Sequence, residues 1–228
     1  MAGMTPKVWI KLGTYFLFFG VLLFGSAGTL AWPAAWAILV LFFGANLLIT
    51  RALARDDPAL LAERMQPFIQ EGQPLWDKVI MASYGVLSAF WLVLMGFDAG
   101  RFHWSAMPAL LQWLGAAGIL ISMWIFSRVL RANPFLANVV KIQTERGHKV
   151  VTKGPYAFVR HPLYAAVLLL LPSAALMLGS WLGVAAAILL AGVLILRTAL
   201  EDRKLHRRLD GYADYARGVR YRLVPWLW

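Results

Sequence analysis

The sequence predicts an all-α, polytopic integral-membrane helix bundle of about six transmembrane helices, and three observations carry that expectation. Of the 228 residues, 61% are hydrophobic and 14% are charged, with a mean hydropathy of +0.65. A soluble globular chain is about 45–50% apolar and about 25% charged, and a particle of this size cannot hide so much apolar sequence. The apolar residues also fall in runs close to the roughly 20 residues of helix that cross a hydrocarbon core. Finally, basic residues gather in alternate connections between those runs. Cysteine is absent, which excludes a disulfide-stapled domain and a thiolate metal site.

The first run, Val8–Leu30, is broken only by Lys11 and is longer than the about 7–15 apolar residues of a signal peptide. Gly25-Ser26-Ala27-Gly28 and Pro33 mark a tight turn into the second span, Trp32–Thr50. In the segment 51–78, Pro58, Pro67 and Pro74 divide the chain into short pieces. Its residues Leu60, Leu61, Met65, Phe68 and Ile69 are expected on the membrane surface, as an interfacial linker. Val79–Phe97 and Pro108–Val129 are the third and fourth spans. Pro162–Leu196 is too long for one span, and Gly179-Ser180 near its middle divides it into Pro162–Leu178 and Trp181–Leu196, a helical hairpin. Five spans result if one hairpin only dips into the membrane. Residues 1–130 thus form an N-terminal set of helices, and residues 131–228 a core of loop, hairpin and tail.

The 22 Lys and Arg exceed the 11 Asp and Glu to give a net charge of +11. With six spans, every basic residue except Arg101 falls on one side. The positive-inside rule makes that side cytoplasmic, in an inner or plasma membrane with both chain ends inside. The basic excess therefore reads as a topology signal and a means of holding anionic membrane lipids; nucleic-acid binding is not expected.

Polar sequence concentrates in 131–164 and 197–228, which enter and leave the same hairpin, so topology brings them together. Glu201 and Asp202 read as the only acids adjacent to an apolar span on that face. Arg197, four residues before Glu201, shares its helix face, either as an interfacial salt bridge or as a bidentate carboxylate holder. Pro162 suits a first helical turn, with His161 just before it near the N-cap. His148 and His206 have no metal-like partners at sensible spacing, so no metal is expected. Asn133 and Asn138 read as caps around Pro134 or as substrate contacts, while Asp98 and His103 lie on the far side with no assigned part.

The order Gly154-Pro155-Tyr156, Arg160-His161-Pro162-Leu163-Tyr164, hairpin, Arg197, Glu201-Asp202, Tyr212, Tyr215 and Arg222-Leu223-Val224-Pro225 resembles a known family. It is similar to the integral-membrane isoprenylcysteine carboxyl methyltransferases and the related phospholipid methyltransferases, over roughly the C-terminal 90 residues. Two departures are Glu201-Asp202 where the family commonly has two glutamates, and Ala165-Ala166 where it often has glycine.

The resemblance implies S-adenosylmethionine as methyl donor and a lipophilic acceptor, either a prenylated or isoprenylcysteine-like carboxylate or a lipid headgroup, with carboxyl O-methylation favoured. It implies donor binding by Gly154, Tyr156, His161, Pro162, Leu163, Tyr164, Glu201 and Asp202. Arg197 and Arg160 would orient a carboxylate acceptor, and Glu201 would act as base toward an amine. Duller roles stand beside these: His161 as a cap, and Tyr156, Tyr164, Tyr212, Tyr215, Trp226 and Trp228 as aromatic-belt anchors. The rival functions are an NADPH-dependent sterol-type reductase and a scaffold or small transporter, although transport usually needs a mid-span charge that is missing here.

Overall fold

The computed structural model describes residues 4–228. Its long helices are α1 (Pro6–Ala27), α2 (Pro33–Asp56), α4 (Leu75–Met95), α5 (Ala109–Ala132), α6 (Pro162–Leu178) and α7 (Trp181–Arg208), joined by the short helices α3 (Pro58–Arg64) and α8 (Tyr212–Gly218). A π-helical turn, Gly96–Phe102, continues α4. Proline opens α1, α2, α3 and α6, where the missing N–H would have no helical partner. At the hairpin, Gly179 takes the left-handed conformation that closes α6 (φ 84°). Ser180 then starts α7, its Oγ accepting from the Gly183 N–H at 2.8 Å.

Five of these helices are long and apolar enough to cross a membrane. The sixth, α6, has 17 residues, roughly 25 Å at 1.5 Å per residue. It nevertheless runs from one end of the bundle to the other. At its far end Ser180 Oγ donates to Asp98 at 2.5 Å, and the Trp181 N–H donates to Ser105 Oγ at 2.9 Å; both partners belong to the connection between α4 and α5. Arg101 lies at that end too, its guanidinium 4.0 Å from a Cβ placed on Gly28. At the opposite, basic end, Lys11 Nζ donates to the carbonyls of Arg64 and Met65.

Helices α2, α4 and α7 outrun expectation for one reason: apolar content stops at the edge of the hydrocarbon, whereas helical hydrogen bonding continues past it. Helix α2 runs beyond Thr50 to Asp56. Helix α4 begins at Leu75 and so includes Asp77 in its first turn. Helix α7 continues beyond Leu196 to Arg208, through good helix formers uninterrupted by glycine or proline. Glu201 and Asp202 therefore lie on a long, continuous helix.

The buried centre is built from Leu23, Leu39, Met95, Ile119 and Leu190. Helices α5 and α6 approach most closely at Gly115 and Gly118, as small residues allow between membrane helices. A Cβ on Gly115 would lie 2.5 Å from the Met177 nitrogen and 2.6 Å from the Ser173 carbonyl oxygen. Because these are backbone atoms, no side-chain rotation relieves the clash. Gly115→Ala is expected to destabilise the protein by about 1–3 kcal/mol, lowering the thermal unfolding midpoint in detergent. Gly44→Ala, with open space around its Cβ, should not lower it.

Candidate active site

Two buried aspartates organise the basic end. Asp202, 1% exposed, accepts from Arg160 at 2.9 and 3.2 Å, from Tyr212 Oη at 2.8 Å and from Arg222 at 2.9 Å. His161 Nε2 lies 3.2 Å from the same carboxylate. Backbone bonds reinforce the join: the Arg160 N–H donates to the Tyr221 carbonyl at 3.0 Å and the His161 N–H to that of Arg222 at 2.9 Å. Arg160 also donates to the carbonyls of Val219 and Arg220, at 2.8 Å each. The turn before α6 and the C-terminal tail are thereby fastened to α7.

Asp77 is the second centre, with no exposed surface. Arg197 Nε donates to it at 2.8 Å, Gln73 Nε2 at 2.7 Å and the Val140 N–H at 3.0 Å. Arg197 also donates to the Asn138 carbonyl at 3.1 Å. This corrects the sequence expectation twice. Glu201 and Asp202 are not the only acids beside a span on this face, and the ion-pair partner of Arg197 is Asp77 rather than Glu201. The pair is separated by 120 positions, so no local spacing announces it. The available signal was an acid in the first turn of a spanning helix, where the helix dipole favours it.

Glu201 faces a cavity of about 250 Å3, close to the lower end of small-molecule sites (about 300–1,000 Å3). The Tyr164 hydroxyl donates to its Oε2. The Tyr164 ring stacks with His161, centroids 5.9 Å apart, and the Arg197 guanidinium lies 5.4 Å from its centre. Of the donor-binding and acceptor-orienting residues that the resemblance implies, Tyr156, Arg160, His161, Leu163, Tyr164, Arg197 and Glu201 line this cavity, as do Asn133, Asn138, Tyr212 and Tyr215. Gly154, Pro162 and Asp202 do not line it. Gly154 opens a tight helical turn at φ 63°, Pro162 starts α6, and Asp202 spends both oxygens on the cluster behind the wall.

Several tyrosines have roles other than belt anchors. Tyr156 is buried, its hydroxyl accepting from Asn133 Nδ2 at 2.8 Å and its carbonyl accepting from the Tyr215 hydroxyl at 2.7 Å. Burial pushes the phenols of Tyr156, Tyr212 and Tyr215 above their ordinary range. Trp226 is exposed, whereas Trp228 packs 4.7 Å beneath the Arg222 guanidinium. His148 stacks on Phe135 at 4.7 Å, and burial pulls its pKa down; both line the cavity. Sequence reasoning also missed Arg64, Phe68 and Lys204, which line it as well. The segment 51–78 is thus part of the wall rather than a plain linker.

This geometry falls largely within a stretch that is shared with known proteins. Residues 109–209 match the phospholipid methyltransferase family. The matched region runs from the start of α5 through α7 and includes the Gly154–Tyr164 motifs, Arg197, Glu201 and Asp202. The match makes this part of the chain similar to phospholipid methyltransferases. No curated protein matches the chain. Helices α1 to α4, including Arg64 and Asp77, lie outside the phospholipid methyltransferase match.

Removing one partner of a buried charge cluster typically costs about 3–5 kcal/mol. Asp202→Asn is therefore expected to lower the unfolding midpoint and to make the tail after Leu209 sensitive to limited proteolysis. Asp214→Asn, which breaks only the exposed pair with Arg217, should change neither measurement.

Proposed function

We propose that this chain is an S-adenosylmethionine-dependent methyltransferase acting on a lipophilic acceptor at the cytoplasmic face of a membrane, with carboxyl O-methylation preferred. The observation that carries this reading is the Glu201 carboxylate, itself within the family-matched region, presented to the cavity and aimed by the Tyr164 hydroxyl.

The residues suit the donor. Glu201 supplies an anionic acceptor for an ammonium group or ribose hydroxyls, while Tyr156, Leu163 and Tyr164 supply apolar walls for adenine. Bound there, the donor supplies a methyl group on a positively charged sulfur. The protein's task is then to align the reacting partners and exclude water. The Asp202 and Asp77 clusters serve that task by fixing the walls before any ligand arrives. Arg160 and Arg197 are held rigidly by those aspartates and still line the cavity, so they can direct N–H groups toward an acceptor carboxylate. Such an acceptor is already ionised and needs no base. Among the described residues, Glu201 is the sole acid lining the cavity. Engaged with the donor, it leaves no second carboxylate to deprotonate an amine, which favours O-methylation.

A second cavity supports a lipophilic acceptor. It measures about 240 Å3, lies in the middle of the bundle among Phe19, Ile38, Phe42, Trp91 and Leu170, and shares Tyr84 and Val167 with the first. Its nearly all-apolar wall suits a hydrocarbon chain whose head reaches the polar cavity. The concentration of basic residues at this end supports a cytoplasmic assignment.

Titration of radiolabelled S-adenosylmethionine into the detergent-purified protein tests the proposal. Loss of a charged hydrogen-bond partner costs about 1.5–3 kcal/mol. Glu201→Gln should therefore weaken donor binding about tenfold or more, with an unchanged unfolding midpoint in the absence of ligand. Undiminished affinity in that variant would overturn the site.

A further inference from the structure

We propose that Arg64 holds the anionic head of the acceptor, an oxygen anion (carboxylate or phosphate) carried on a hydrocarbon chain. This assignment rests on reading the Glu201 cavity as a methyl-transfer site.

Three arginines line that cavity: Arg64, Arg160 and Arg197. Arg160 is paired with Asp202 and Arg197 with Asp77. Among the described residues, the Arg64 side chain forms no ion pair and donates no hydrogen bond to the protein. Its neighbour Glu63 turns instead to Lys141, at 2.8 Å. The Arg64 guanidinium lies 5.5 Å from the centre of the Phe126 ring, a stacking that leaves its N–H edge available. Burial draws its pKa down to about 10, against a weaker upward influence of Tyr164, Tyr156 and Glu63. A cation kept in such surroundings without a counterion is costly, and a bound anion removes that cost.

The placement of Arg64 is built by other parts of the chain. Its carbonyl accepts from Asn138 Nδ2 at 2.8 Å and from Lys11 Nζ at 3.3 Å, and Lys11 also holds the Met65 carbonyl at 3.1 Å. Side chains from α1 and from the loop before α6 thus fix the last turn of α3 against the cavity. The apolar cavity of the bundle shares Tyr84 and Val167 with this one, which puts room for a hydrocarbon chain next to the anion. The donor's own carboxylate is the rival claimant on Arg64, and the experiment separates the two.

Laurate, dodecyl phosphate and dodecanol share one chain length and differ in their heads. Each is titrated into the full-length protein in dodecyl maltoside micelles, as wild type, Arg64→Gln and Arg64→Lys, with S-adenosylmethionine affinity and the unfolding midpoint measured on the same preparations. The wild type should prefer at least one anionic probe over dodecanol by about tenfold or more. Arg64→Gln should remove most of that preference, Arg64→Lys should keep more of it, and donor affinity should be unchanged in both variants. Comparing laurate with dodecyl phosphate shows which anion the site takes. The proposal is overturned if the wild type shows no preference, if Arg64→Gln retains it, or if Arg64→Gln weakens donor binding. It is also overturned if Arg64→Lys keeps no preference while remaining folded. If the wild type binds no donor yet shows an Arg64-dependent anion preference, the anion site stands and the methyltransferase reading falls.

Discussion

A carboxylate withdrawn from water is tolerated only when its charge and lone pairs are answered by the protein. Asp202 meets that condition with groups from three separated stretches: Arg160 and His161 from the turn before α6, Tyr212 from α8 and Arg222 from the tail. These stretches also bury apolar side chains against α7, Tyr212 and Leu223 among them. The aspartate gives them a common anchor, and the cavity walls follow from it. Tyr156 and Tyr215 are joined behind this anchor, and His161 is turned so that its ring lies along Tyr164.

Asp77 plays the equivalent part for the other wall, joining α4, α7 and the backbone of residues 138–140 through Arg197. The acids at this end therefore divide into two kinds. Asp77 and Asp202 are consumed by the fold, whereas Glu201 is held by a single tyrosine hydroxyl and keeps a face toward the cavity. The arginines divide in the same way, with Arg160 and Arg197 paired and Arg64 unpaired. A pocket wall that presents both an acid and an unpaired arginine is suited to a ligand bearing both signs of charge.

Much of the helical frame was legible in the chain because a membrane span has a fixed length and an unmistakable composition. The limits of α6, Pro162–Leu178, coincide with those read from Pro162 and Gly179, both strong punctuation. The end of α7 was not legible, since hydropathy marks where lipid stops and not where the helix does. At the site, Glu201 and Tyr164 came from motif order within the matched region. Asp77 and Arg64 did not, because their significance depends on neighbours brought close only by folding. Asp202 was visible as a charge, but its many partners were not, so sequence alone could not separate a ligand contact from an internal clamp.

The shortness of α6 has a geometric outcome for lipids. Its far turn is level with the connection between α4 and α5 and leads directly into α7, so the length it lacks relative to α7 is missing at the end that bears Glu201. His161 and the floor of the cavity are consequently recessed between two taller neighbours, below the plane those helices reach. A bilayer meeting a short hydrophobic element thins or dimples to match it. A lipid beside α6 would thus meet Glu201 near the depth of its own headgroup.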